Sequence, residues 1–303
     1  MHLGIDLGGT KIEIIALDDS GTERFRKRIA TPQGNYKKTL EAIVRLVQYA
    51  IEETGHNYTL GIGIPGAISL HTALVKNANS VCLIGQPLQA DLQQLLGQAV
   101  RINNDANCLT VSEATDGAAA GFPVVFGVIL GTGTGGGIAV NQKVITGANF
   151  IAGEWGHNPM PWKQDSDGVP VDCYCGKQDC IETFLSGPGM LKRFLAMGAR
   201  ADSPAHIVQQ AESGDESAEK FMQRYEDWLA KGLASVINIL DPDVIVVGGG
   251  LSNIDRLYPN IPKRWQQYVF SDQVNTLLYK ARYGDSSGVR GAAWLWPLTE
   301  HGK

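Results

Sequence analysis

Between residues 36 and 54 the apolar side chains Leu40, Ile43, Val44, Val47 and Ile51 recur at helical spacing, and Gly55 follows as a stop. The pattern predicts a helix over Tyr36–Thr54. Phe221, Tyr225, Leu229, Leu233, Val236, Ile237 and Leu240 repeat the spacing from Ser217 to Leu240, and Asp241-Pro242 ends that run. Short apolar, β-branched runs predict strands at His2–Asp6, Ile12–Leu17, Thr22–Ile29, Ala99–Ile102, Val124–Leu130, Ile138–Val140 and Val244–Val247, and a helical run covers Cys108–Ala120. Strands alternating with helices define an α/β protein. Two of the strand pairs share one device: a strand, a glycine turn (Leu7-Gly8-Gly9-Thr10, then Gly131–Gly137) and a second strand. Recurrence of this hairpin after about 120 residues predicts a duplicated fold whose halves each present backbone amides to a shared ligand.

Length adds that the 303 residues suffice for two lobes. A content of 44% hydrophobic and 19% charged residues is that of a folded globular chain, and a net charge of −5 offers no basic field to a nucleic acid or an anionic membrane. An anionic ligand must therefore be held locally. Asp6, Lys11 and Glu13 interrupt the first residues, so no signal-peptide core is read there, and no run reaches the roughly 20 apolar residues of a membrane span. A cytoplasmic location is expected. Cys82 and Cys108 lie in apolar context, whereas Cys173, Cys175 and Cys180 cluster.

Several segments carry chemistry. Gly8 and Gly9 let backbone N–H groups approach phosphate oxygens, and Asp6 before them can hold Mg²⁺ through water; a plain hairpin turn fits the same residues. Gly131, Thr132, Gly133, Thr134 and Gly135 open a second turn, richer in glycine than a tight turn requires, and it matches neither a Walker loop nor a dinucleotide fingerprint. Gly249 and Gly250 follow a buried-strand pattern and either admit a flat ring or serve packing. Asn104 and Asp105 stand where a strand gives way to a helix. Asp105 is then either a helix cap or a base kept ionised by the helix end. His157 with Cys173, Cys175 and Cys180 provides the four donors of a closed, structural Zn²⁺ site; a disulfide plus a free thiol is the other reading. Glu154 and Glu182, flanked by Trp155, Ile181 and Phe184, are placed to accept hydrogen bonds from sugar hydroxyls or are solvated surface acids.

Taken together, these segments resemble the ROK family of sugar kinases and repressors from residue 4 to about residue 295. Leu130, Gly133, Thr134, Gly135, Gly137, Ile138, Gly147, Gly153, Gly156 and His157 fill the family's pattern. Asp6, Gly8, Gly9 and Thr10 match its phosphate loop, with Lys11 next to it. Glu154, His157, Cys173, Cys175, Cys180 and Glu182 match its metal and sugar motifs. One departure is Asp179, where the family has glycine; aspartate tolerates a positive φ at modest cost.

The resemblance implies a two-lobed actin-like ATPase (ribonuclease H-like) fold, with lobes at 1–108 plus a C-terminal helix over 288–303, and at 109–287. It also implies ATP with Mg²⁺, a structural Zn²⁺, a homodimer, and a cleft that closes on sugar. Asp105 is the implied base, with Asn104, Glu154, His157 and Glu182 as sugar contacts; His157 would place one ring nitrogen on zinc and the other on sugar. The zinc loop is expected to serve the sugar alone, since the phosphate turns lie on other segments. A ROK repressor would need a helix-turn-helix before the phosphate loop, and the loop starts at residue 4. Lys76-Asn77-Ala78-Asn79-Ser80 and Gly156–Trp162 look most similar to the fructokinase and mannokinase branch, so fructose is the expected substrate, with N-acetylglucosamine second and glucose third.

Overall fold

The computed structural model describes residues 1–297 apart from Leu70 and Asn79. Asn79 of the Lys76–Ser80 stretch and residues 298–303 of the expected C-terminal helix lie outside the described residues. The chain forms two compact units. One comprises Met1–Pro123, Gly137–Ala152 and Arg282–Lys303, and the other Val124–Gly136 and Gly153–Ala281.

Strands β1 (His2–Leu7), β2 (Lys11–Leu17) and β3 (Glu23–Ala30) form an antiparallel meander. Helix α1 (Tyr36–Thr54) then returns the chain to β4 (Thr59–Ile64), which is parallel to β1. A two-residue pairing of β5 (Ala67–Ile68) with β6 (Val75–Lys76) precedes α2 (Leu88–Leu96) and β7 (Val100–Asn104), which is parallel to β4. Helix α3 (Asp105–Thr115) follows without a loop. The sheet order is β3-β2-β1-β4-β7. Next come β8 (Val124–Leu130), β9 (Thr134–Val140) and β10 (Lys143–Val144). Helices α4 (Glu182–Leu185), α5 (Gly187–Ala196), α6 (Pro204–Glu212) and α7 (Glu216–Leu240) lead to β11 (Val244–Gly248). After it stand α8 (Leu257–Trp265), β12 (Leu277–Lys280) and α9 (Ser287–Ala293). The second sheet runs β10-β9-β8-β11-β12, the same order as the first. The duplication expected from the two glycine hairpins is therefore present in the strand topology.

Period-two alternation in β2 explains the layering of the first unit. Ile12, Ile14 and Ala16 join a core with Leu40, Ile43, Leu46, Val47 and Ala50 of α1, whereas Ile15 and Leu17 face Val111 of α3 and Val289 and Ala293 of α9. Helix α1 starts where Asn35 accepts from the Lys38 amide and stops at Gly55, φ 91°. Val44 and Ile51, counted on its apolar stripe, are only partly buried, because the buried face is centred on Ile43, Leu46, Val47 and Ala50.

On the opposite side α9 lies against backbone. A Cβ on Gly4 would stand 2.2 Å from the Val289 carbonyl oxygen, one on Gly61 1.9 Å from that of Ala292, and one on Gly291 1.6 Å from that of Cys108. Glu113, fully buried in α3, completes the clamp by accepting from the Ala118 and Arg282 amides and from Ser287 Oγ. Among the described residues no helix is long and apolar enough to cross a membrane. Gly291→Ala is expected to destabilise the protein by about 1–3 kcal/mol or more, since neither backbone can give way to the new methyl group. Urea unfolding of the variant beside the parent measures this.

Candidate active site

In the first unit the Leu7–Lys11 turn joins β1 to β2. The Gly8 amide donates to the Lys11 carbonyl at 3.0 Å, and Thr31 Oγ1 donates to the Gly8 carbonyl at 2.7 Å. Gly9 and Thr10 are exposed at the tip, and Lys11 is half-buried. A Cβ on Gly8 would meet the Lys11 carbonyl oxygen at 2.9 Å, so glycine is what the turn accepts there. Asp6 is the last but one residue of β1, just before the turn. Burial, first, and then the Asp105 and Glu13 carboxylates raise its acid group from an ordinary 3.8 to about 6, against the opposing pull of Lys11 and Arg28.

Asn104, not Asp105, caps α3: its side chain accepts from the Asn107 amide at 2.8 Å. Asp105 is left as the first helical residue, open to solvent on one side while protein crowds its carboxyl, with Oδ1 accepting from the Ala106 amide at 2.8 Å. The helix end was expected to keep Asp105 ionised. Opposing influences act on it: desolvation raises its carboxyl, and the backbone donors at Ala106 and Asp105 lower it by less. This unit thus gathers Asp6, Gly8, Gly9, Thr10, Lys11, Asn104 and Asp105 around the ends of β1 and β7, and the influence of Asp105 on Asp6 records how near the two acids are.

The second unit contributes another set. Gly131 turns β8 toward β9, with its amide donating to the Gly133 carbonyl at 3.0 Å. Thr132 is exposed, Thr134 is buried and Gly135 half-buried. Trp155 Nε1 donates to the Gly135 carbonyl at 3.1 Å, and a Cβ on Gly156 would stand 2.0 Å from the Thr134 carbonyl oxygen. Those contacts fix the loop that carries Glu154, exposed, and His157, half-buried. Glu182, at the start of α4, accepts from the Thr134 amide at 2.9 Å through Oε2. The expected separation between phosphate turn and sugar acids is therefore bridged by one hydrogen bond. Sequence reasoning did not anticipate it, because Thr134 and Glu182 are 48 positions apart. Gly249 follows β11 at φ 82°, and a Cβ there would meet the Leu130 carbonyl oxygen at 2.5 Å, whereas Gly250 faces open space. The pair thus divides: Gly249 is required for packing and Gly250 leaves room.

His157, Cys173, Cys175 and Cys180 bring their ligand atoms within 4.8 Å of one another. The three cysteines are free thiols, and Cys175 Sγ lies 3.5 Å from Cys180 Sγ, close to the sulfur–sulfur edge of about 3.8 Å expected of a tetrahedron with Zn–S bonds near 2.3 Å. The donor set and spacing fit zinc. His157 Nδ1 faces Cys173 Sγ at 3.6 Å, and Nε2, the atom expected to meet sugar, is 2.9 Å from the Tyr174 hydroxyl. Tyr174, overlooked in the sequence, is largely exposed, but protein packed around its hydroxyl, and then the Glu182 and Glu154 carboxylates, push that group up to about 12, so both acids lie near it. Asp179 has φ 54°, the left-handed conformation that favours glycine and costs other residues roughly 1–2 kcal/mol, least for Asn and Asp.

Two sheets of one strand order, each carrying a glycine turn, define the actin-like ATPase fold. Solved structures agree. The crystal structure of the ROK hexokinase from Thermus thermophilus is similar at a TM-score of 0.86 and 26% identity, covering 98% of each chain. The ROK family glucokinase from Streptomyces griseus, solved in complex with glucose and AMPPNP, is similar at a TM-score of 0.73 and 29% identity, covering 96% of this chain and 97% of that one. The ROK family model matches residues 2–298, and the chain belongs to the ROK family. It is 41% identical over 301 residues to the N-acetyl-D-glucosamine kinase of Pasteurella multocida (strain Pm70), covering 98% of this chain and 99% of that protein. With the N-acetyl-D-glucosamine kinase of Yersinia enterocolitica it shares 39% identity over 299 residues.

The raised acid group of Asp6 has a consequence for stability. A carboxyl whose folded pKa exceeds its unfolded value favours folding only when protonated, so ionisation destabilises the protein as pH climbs from about 3.8 through about 6. Asp6→Asn is expected to raise unfolding stability at pH 8 by up to roughly 3 kcal/mol and to change little at pH 4. Urea unfolding at the two pH values reads the difference; equal effects at both would contradict it.

Proposed function

We propose that this ATP-dependent sugar kinase of the ROK family phosphorylates N-acetyl-D-glucosamine. The observation that carries the reading is end-to-end identity of 41% with an N-acetyl-D-glucosamine kinase. The fructose expectation rested on two short stretches, Lys76–Ser80 and Gly156–Trp162, and whole-chain similarity outweighs them. Epimeric and substituted hexoses present nearly the same hydroxyls, so short motifs discriminate among them poorly.

In the first unit Asp105 takes the proton of the sugar hydroxyl as that oxygen bonds to the γ-phosphorus of ATP and the bond to the bridging oxygen breaks, releasing ADP. Desolvation of Asp105 strengthens it as a base. Asn104 holds the helix end from which Asp105 projects. The turn at Gly8, Gly9, Thr10 and Lys11 offers amides and one cation to phosphate oxygens, and Asp6 would hold Mg²⁺, which neutralises charge building on them. Deprotonation of Asp6 is what allows it to bind the cation.

In the second unit Gly131, Thr132, Gly133, Thr134 and Gly135 supply further amides to phosphate, and Gly250 leaves space beside β11 for the nucleotide's flat ring. Glu154, His157 and Glu182 accept from or donate to sugar hydroxyls. His157, Cys173, Cys175 and Cys180 would hold zinc, whose filled shell makes it a cross-link between loops.

A coupled assay with ATP over N-acetyl-D-glucosamine, fructose, mannose and glucose tests the substrate. Its kcat/KM for N-acetyl-D-glucosamine is expected to exceed that for fructose by about 10²-fold or more. Fructose turned over as well or better would return the protein to the fructokinase reading. Asp105→Asn is expected to lower kcat by on the order of 10³-fold while calorimetric sugar affinity holds, because the amide keeps shape and loses basicity.

A further inference from the structure

Asp179 carries a modest backbone cost at its position that glycine would not. Glycine would adopt φ 54° without strain, so a side chain held there needs a task that glycine cannot perform. Its contacts supply one. Oδ1 accepts from the Val171 amide at 3.0 Å and from Arg193 Nη2 at 3.2 Å, and Oδ2 accepts from Lys163 Nζ at 3.2 Å. The Asp179 backbone adds two more bonds: its amide donates to the Val171 carbonyl at 2.9 Å, and its carbonyl accepts from the Met160 amide at 2.8 Å. One residue therefore ties the segment leaving His157 to the segment entering Cys173, next in the chain to Cys180.

Arg193 carries the connection onward. Only 6% of its side chain is exposed, and besides Asp179 it donates through Nε to the Thr183 carbonyl at 3.0 Å and through Nη1 to the Asp167 carbonyl at 2.9 Å. The guanidinium stands 3.3 Å from the centre of the Phe184 ring. Thr183 and Phe184 directly follow Glu182. A buried guanidinium of this kind requires its carboxylate partner, since removing one member strands the other's charge.

We propose that Asp179 and Arg193 are positioning residues that hold the metal loop and Glu182 in one arrangement, so the His157 and Cys180 ligands are preset before an ion binds. The inference rests on the zinc reading above and adds a protein-built brace to it. Cys180 is 1% exposed and lies inside this brace, whereas Cys175 is exposed and outside it. Ion release then starts at Cys175 and is slowed by ligands that cannot follow.

The test starts from the zinc-loaded protein and follows zinc transfer to 4-(2-pyridylazo)resorcinol. Asp179→Asn keeps the volume and the tolerance for positive φ but loses both ion pairs, and it is expected to release zinc about tenfold faster or more. Asp179→Gly should also release it faster, although glycine removes the strain. In both variants KM for the sugar should rise more than KM for ATP. Arg193→Met should match them; Asp179→Asn carries the test if that variant fails to fold. Parental zinc release from Asp179→Asn and Asp179→Gly would overturn the proposal. Hydrogen exchange of the Met160, Val171 and Asp179 amides in metal-free protein judges the brace apart from the ion. Protection in the parent that Asp179→Asn loses supports it, even if the parent proves to bind no zinc. Equal exchange in the two proteins would overturn it.

Discussion

The Cys108 carbonyl occupies the space where any side chain at position 291 would begin, and the part of the first unit that carries Asp6 and Asp105 is built around that contact. Helix α9 meets α3 there without an intervening side chain, and it meets β1 and β4 the same way at Gly4 and Gly61. Asp105 opens α3 and Asp6 lies one residue from the end of β1. Both acids are therefore mounted on elements pressed to one helix, and neither can move away without opening a backbone-to-backbone contact. Rigid packing of this density does not relax to accommodate charge. The consequence is electrostatic: two carboxylates are kept close enough for one to raise the other, and the whole arrangement favours a proton or a cation between them.

Glu113 shows how the same clamp is secured from the far side. A fully buried carboxylate is tolerable only when donors surround it, and the Ala118 and Arg282 amides and Ser287 Oγ do so. Ser287 is 174 positions away in the chain. Nothing local to Ser112-Glu113-Ala114 marks this acid as buried, and it reads as an ordinary polar position on a helix.

That contrast defines what was legible. The turns at Gly8-Gly9 and Gly131–Gly137, the helices over Tyr36–Thr54 and near Ser217–Leu240, and the duplicated strand order follow from local periodicity and glycine placement, which need no partner to be recognised. The position of Asp105 was readable; the desolvation acting on it was not, because desolvation is set by distant segments while the helix end is set by its neighbours in sequence. Arg193 and Tyr174 were missed for the same reason. Each acquires its role from a residue it meets only on folding. Asp179 was noticed as a departure from the family motif, yet the sequence offered only tolerance of positive φ as its explanation, since Lys163 and Arg193 lie 16 and 14 positions away from it.

The second unit uses a different construction for a similar end. Glu154 stands on a loop and Glu182 opens a helix of only four residues, neither with the length of α3, and such short segments must be tied by side chains. Trp155 and Gly156 anchor the Glu154–His157 turn to β9, the thiols and His157 converge on one point, and Glu182 reaches across to the Thr134 amide. This last bond makes the unit more than a holder for separate ligands. Thr134 belongs to the glycine turn, so the acid assigned to the sugar and the amides assigned to phosphate share a hydrogen bond. A carboxylate that is already accepting from one amide has less capacity to reorient, and a turn whose amide is already donating has one fewer free for phosphate. Any displacement of Glu182 must therefore strengthen or weaken the Thr134 bond, so the acid and the glycine turn cannot be moved independently of this 2.9 Å contact.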